Sequence, residues 1–125
     1  MAFHIVMVLL ALLSAVTKTE PGPRYDPNTV VDLMVVVTEV RAASQENGLD
    51  GVRLLVRTEA DANLEVYLGP ARFLKDFDIT FAKGDRLQII GSKIKVAGNF
   101  IVLAREVHKD SSTLYLRGHS GEPYW

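Results

Sequence analysis

Leu68-Gly69-Pro70-Ala71-Arg72-Phe73-Leu74-Lys75-Asp76-Phe77, followed a few residues later by Gly84-Asp85-Arg86-Leu87-Gln88-Ile89-Ile90-Gly91-Ser92, is the stretch that decides the fold of this chain. Gly69 frees the backbone, and Pro70 stands where a first helical residue has no use for its N–H, so a brief helix is expected over 70–77 with Phe73 and Phe77 on one face. The apolar alternation that resumes after Gly84-Asp85 predicts a strand. A strand, a plugging helix and a new strand in this order are how a small Greek-key barrel separates its third and fourth strands.

The flanking sequence supplies the other strands. Thr29 to Arg41 is rich in β-branched residues and long enough to be a bent first strand shared between two sheets. Ser44 to Gly51, with Asn47-Gly48 and Asp50-Gly51, reads as a turn region. Val52, Leu54 and Val56 alternate with Arg53, Leu55 and Arg57, while Leu64, Val66 and Leu68 alternate with Glu65 and Tyr67. That is a hairpin with one wall on a core, closed by Glu59–Ala62. Leu87 to Val96 and Phe100 to His108 form a second hairpin around Ala97-Gly98-Asn99, and Lys109–Ser112 turns into Thr113–Arg117. The pattern predicts an all-β fold, a small five- to six-stranded OB-type Greek-key barrel with one short helix between strands 3 and 4.

The chain has 125 residues, enough for one domain that buries roughly two-thirds of its unfolded surface. Ile5 to Val16 is an apolar run of the length of a signal-peptide core, and polar Thr17–Glu20 arrives too early for the about 20 apolar residues of a membrane span. Three prolines and a glycine between Thr17 and Asn28 favour an extended tether. The expected organisation is a signal peptide or N-terminal anchor over 1–17, a linker over 18–28, and the barrel over 29–125. The implied location is periplasmic or secreted, with membrane tethering by an uncleaved leader as the alternative.

Net charge is −1, so no global field draws the chain to nucleic acid or an anionic membrane, and the absence of cysteine excludes disulfides, thiolate metal sites and cysteine nucleophiles. Charge is nevertheless polarised: residues 83–117 carry seven basic against three acidic residues, and residues 20–65 four arginines against nine carboxylates. Arg53, Arg57, Tyr67, Lys93, Lys95, Tyr115 and Arg117, if on the outer faces of neighbouring strands, make a candidate basic-aromatic ligand surface of the kind OB barrels use for oligonucleotides. The competing reading is that these cations solvate the barrel and guard its edges. No serine sits in a nucleophile elbow, no glycine run forms a phosphate loop, and His108 with Asp110 is short of the three or four ligands a stable metal site wants. No enzyme activity and no cofactor are expected. Tyr124 and Trp125 are expected to pack on the barrel, since large aromatics are costly to leave in water.

Four motifs carry a resemblance: Val66-Tyr67-Leu68-Gly69-Pro70-Ala71-Arg72-Phe73-Leu74, Gly84–Ser92, Ala104-Arg105-Glu106-Val107, and Leu116-Arg117-Gly118-His119-Ser120-Gly121-Glu122-Pro123-Tyr124-Trp125. Over residues 29–125 the chain resembles a group of small exported bacterial OB-fold proteins of the periplasmic BOF-like kind, departing from it at Gly118, where that group often carries an acidic residue. A looser likeness is to the periplasmic haem chaperone of cytochrome c maturation. That family's His-x-x-x-Tyr motif is missing, because Pro123 follows His119 and Ser112 follows His108, so haem is not expected. The resemblance implies a non-catalytic binding or accessory module of the cell envelope, with an envelope protein or small ligand as partner. The alternatives are an oligonucleotide or polyanion binder, with nucleic acid the less expected partner, and a metal- or stress-related envelope accessory.

Overall fold

The computed structural model describes residues 23–46 and 48–125, residues 43–46 by their backbone. The expected leader and residues 18–22 of the linker therefore lie outside the described residues, as does Asn47. Six strands follow in order: β1 (Val30–Glu46), β2 (Leu49–Thr58), β3 (Asn63–Gly69), β4 (Arg86–Val96), β5 (Asn99–Lys109) and β6 (Ser112–Tyr115), with a single helix, α1 (Ala71–Leu74), between β3 and β4. Antiparallel pairings join β1 to β2, β2 to β3, β4 to β5 and β1 to β4. A parallel pairing of Glu65–Tyr67 with Ile101–Leu103 closes the ring. The result is a closed five-strand barrel of OB-type topology. β6 extends it by pairing with β5 at Glu106–Lys109, along the same edge that β3 uses further up the strand.

β1 can serve two neighbours because it bends. It pairs with β4 over Val30–Val36 and with β2 from Val35 onward, and two register shifts, at Val37/Glu39 and Arg41/Ser44, absorb the curvature. Those shifts also carry the ladder on to Glu46 opposite Leu49, so the region 44–51 expected as a turn is mostly strand, and the reversal is confined to the residues between Glu46 and Leu49. Inside, Val35, Val37, Leu54, Val56, Val66, Leu68, Leu87, Ile89, Val102 and Val107 form one apolar core. They come from alternate positions of their strands, as the period of two requires, except that a register shift between Ala104 and Glu106 in β5 carries the inward face on to Val107. Phe73 and Leu74 of α1 pack on that core as the expected plug. The helix is shorter than the expected 70–77: Asp76 and Phe77 donate to Phe73 O and Leu74 O, three residues back, so the chain continues as tight turns.

The local motifs now have physical explanations. Gly84 N donates to Val37 O (2.8 Å) and Val37 N to Asp85 O (2.9 Å), so Gly-Asp stitches the loop after the helix to the bend of β1. The Asp85 carboxylate accepts from Ala82 N (2.8 Å) and meets Lys109 Nζ at 3.0 Å. These bonds hold its pKa below the ordinary carboxylate value, the Ala82 amide first and Lys109 second. Gly91 faces the β5 backbone so closely that a Cβ would lie 2.3 Å from Leu103 O. Ser92, fully buried, accepts from Asp26 N (2.9 Å) and bonds Thr29 Oγ1 (2.8 Å), clamping the entering chain to β4. Ala97 and Gly98 both take positive φ, 50° and 85°, which a two-residue type I′ hairpin demands.

Candidate functional site

In OB barrels the β2–β3 face, with the loops after β1 and β4, is where ligands are usually taken. Here much of that face is a second, smaller core on the outside of the barrel: Leu49, Tyr67, Ile101 and Leu103 are buried, with Tyr25, Ile94, Val96 and Trp125 packed around them. Arg53, on the outward parity of β2, is 0% exposed. Its Nη2 donates to Leu49 O (2.7 Å), its Nη1 to Glu65 Oε2 (3.1 Å), and its guanidinium lies over the Tyr67 ring. Tyr67 Oη donates to Asp50 O at 2.7 Å. Burial raises the pKa of the Tyr67 hydroxyl above its ordinary value, an effect that the nearby Arg117 partly opposes.

Trp125 is the lid of this cluster. Its ring meets Tyr67 edge-on with centroids 6.4 Å apart, lies 5.4 Å from Phe73, and takes the Arg117 guanidinium 5.0 Å above it. The Arg117 guanidinium also lies 5.9 Å from the Tyr25 ring and donates from Nη1 to Gly121 O (2.9 Å). Desolvation lowers its pKa. Arg117 Nε and Tyr25 Oη are buried without a hydrogen-bond partner. Tyr124 stays 56% exposed, so of the two final aromatics expected to pack, only Trp125 does so. At Gly118 a Cβ would lie 1.8 Å from Glu122 Oε1, so the Glu122 carboxylate occupies the space that a side chain at that position would need.

The seven candidate residues therefore do not form one surface. Arg53 and Tyr67 are buried in the closed cluster, so their expected place on an open outer face is corrected, while Arg117 is half-buried at the edge of that cluster against Trp125 and Tyr25. Lys93 and Lys95 form a second group around Phe100, their ammonium groups 4.8 and 5.9 Å from its ring. Arg57 is exposed and 3.7 Å from Asp61. Tyr115, 58% exposed, stands on β6 opposite Glu106, in neither group. His108 has both ring nitrogens engaged, by Glu106 at 3.2 Å and Thr113 at 3.0 Å. Among the described residues no three His, Cys, Asp or Glu side chains gather in a way that could hold a metal, and no helix is long and apolar enough to cross a membrane.

What stays open is a groove around the β2–β3 turn. Three clefts of about 370, 430 and 540 Å3 share walls: Met34, Thr58 and Glu59 line the first two, and Leu64 the last two. The groove runs from Arg57 and Arg86, past Met34 and Lys93, to Phe100. Met34 and Phe100 are 49% and 50% exposed, a large apolar presence for a surface that also carries Asp32, Glu59 and Glu65. Sequence reading missed Met34 and Phe100. The second was recoverable, because a two-residue turn at Ala97-Gly98 sets Lys95 directly opposite Phe100.

No curated protein and no solved structure matches the chain. A family model does, over residues 30–114, which is the barrel from the first residue of β1 to within β6. On that match the chain belongs to the MamS/MamX magnetosome protein family.

Proposed function

We propose that this protein is a non-catalytic accessory module of the cell envelope that works by docking another protein on its barrel. The observation that carries this reading is the groove from Arg86 to Phe100, which joins exposed apolar side chains to charges of both signs. Such a mixture suits a polypeptide surface, with an apolar centre and a polar rim, better than it suits a uniform polyanion. The closed β2–β3 cluster supports it from the other side, since the face that OB barrels offer to ligands is here occupied by the chain's own Trp125 and Tyr25. Membership of a family described by the magnetosome supports an accessory role, and the apolar run Ile5–Val16 and the resemblance to exported OB-fold proteins support a periplasmic or secreted setting.

A second reading is binding of an oligonucleotide or another polyanion. Lys93 and Lys95 flanking an exposed phenyl ring favour it, because bases stack on such platforms. It ranks below the first because Arg53 is buried and paired with Glu65 and Arg117 is half-buried against Trp125, leaving a narrow basic strip.

Affinity capture from envelope extract with the tagged full-length chain, beside Met34→Glu, separates the two. A discrete protein retained by the wild type and lost by Met34→Glu is the expected result. Equal capture by both, or no protein capture alongside steeply salt-dependent binding to heparin or single-stranded DNA, would overturn the first reading. Sequencing the N-terminus of the cell-fractionated protein tests export: a start between Val16 and Lys18 in the periplasmic or secreted fraction is expected, and a full-length cytoplasmic chain contradicts it.

A further inference from the structure

Resting on the docking reading above, we infer that the partner is held by strand addition: an extended peptide pairs with the open edge of β1 between Val30 and Met34. β1 has two edges. One bonds to β4 throughout Val30–Val36, whereas the other meets β2 only from Val35, the partner of Thr58, onward. At Thr58 the second strand turns away, so over Val30–Met34 the β2-side edge has no strand beside it among the described residues. Backbone amides along such an edge need a partner, and an open edge is a template for another strand.

The edge lies in the right surroundings. Val31, Leu33 and Met34 line the 430 Å3 cleft together with Ala60, Leu64 and Lys93, so a strand laid on β1 would place alternate side chains against apolar walls. The other occupants fit less well. A second copy of this chain, paired antiparallel about the centre of the edge, would set Asp32 opposite Asp32, and like charges directly across a ladder destabilise it. A polyanion would meet Asp32 and Glu59 beside the single Lys93. A short extended segment with apolar residues at alternate positions, donated by another protein, satisfies both the backbone and the walls.

The probe is a blocked heptapeptide of alternating valine and threonine, compared with the same peptide N-methylated on every amide so that neither of its edges can donate. Amide hydrogen exchange of the full-length protein is followed residue by residue. With millimolar plain peptide, alternate amides within Val30–Met34 slow by roughly tenfold, while the N-methylated peptide leaves them unchanged. Ala60→Trp, a change at an exposed turn residue that fills the cleft, removes the protection without lowering the melting temperature. Absence of protection, or equal protection by both peptides, overturns strand addition; protection that rises with protein concentration without peptide overturns it in favour of a second copy. The docking reading fails separately: if Ala60→Trp loses the peptide yet captures the same envelope protein as wild type, the protein docks elsewhere and only the edge assignment falls.

Discussion

Two regions of this barrel present cations beside aromatic rings, and they have opposite fates. On the β2–β3–β5 face, Arg53 and Arg117 lie over Tyr67, Tyr25 and Trp125, the first fully buried and the second half-buried. On the β4–β5 hairpin, Lys93 and Lys95 flank Phe100, which is half exposed. The first region uses arginines and the second lysines. What also separates them is cover: the first region has a carboxylate from β3, two backbone carbonyls and an indole lid, while among the described residues the second has no carboxylate within ion-pair reach. A guanidinium can be buried when its donors find carbonyls and its face finds a ring; an ammonium beside one phenyl ring stays in solvent.

The largest break in the comparison comes from removing the buried cation. Arg53→Met leaves Glu65 and Leu49 O without their donor and costs about 3 kcal/mol, measured by urea unfolding. Arg57→Met, four residues along the same strand but exposed, changes stability by less than about 0.5 kcal/mol. Equal effects would mean that Arg53 is solvated. Next in size, Trp125→Ala costs about 2 kcal/mol by lost apolar burial. It also returns the Tyr67 hydroxyl toward its ordinary value near 10, read by phenolate absorbance.

A smaller effect sharpens the contrast through pH. The folded-state pKa of Asp85 is depressed, so its contribution to stability is fully present above about pH 4 and is lost as pH falls through the folded value. Asp85→Asn should therefore flatten the acid limb of the stability profile and leave the neutral and alkaline limbs parallel to wild type. The smallest effect on stability belongs to the open region: Lys93→Ala and Phe100→Ala each shift it by less than about 0.5 kcal/mol, while weakening capture of the envelope partner. A large loss of stability there would mean that the hairpin is part of the core.

Much of the barrel was legible because its signals are local. Gly69-Pro70, Gly84-Asp85 and Ala97-Gly98 each mark a turn by backbone chemistry within two residues, and period-two alternation assigns the inward faces of β2 and β3. The ends of β1 were less legible, because the register shifts that continue its ladder past Arg41 depend on its pairing with β2 and leave no compositional mark. The candidate site was legible only in part. Alternation placed Arg53 and Tyr67 on the outward parity, correctly, but parity does not say what lies above a residue. That is decided by Trp125 and Tyr25, which reach the same face from opposite ends of the barrel domain. The groove was invisible for a related reason: Met34 and Lys93 meet there only because β1 outruns β2.

Because Trp125 is the sole tryptophan, its fluorescence reports directly on whether the β2–β3 face is closed by the chain itself. Closure predicts blue-shifted emission in native buffer, weak quenching by iodide, and a red shift with strong quenching on unfolding in urea. Native emission and quenching already equal to those of the unfolded chain would contradict it and return Arg53, Tyr67 and Arg117 to an open surface.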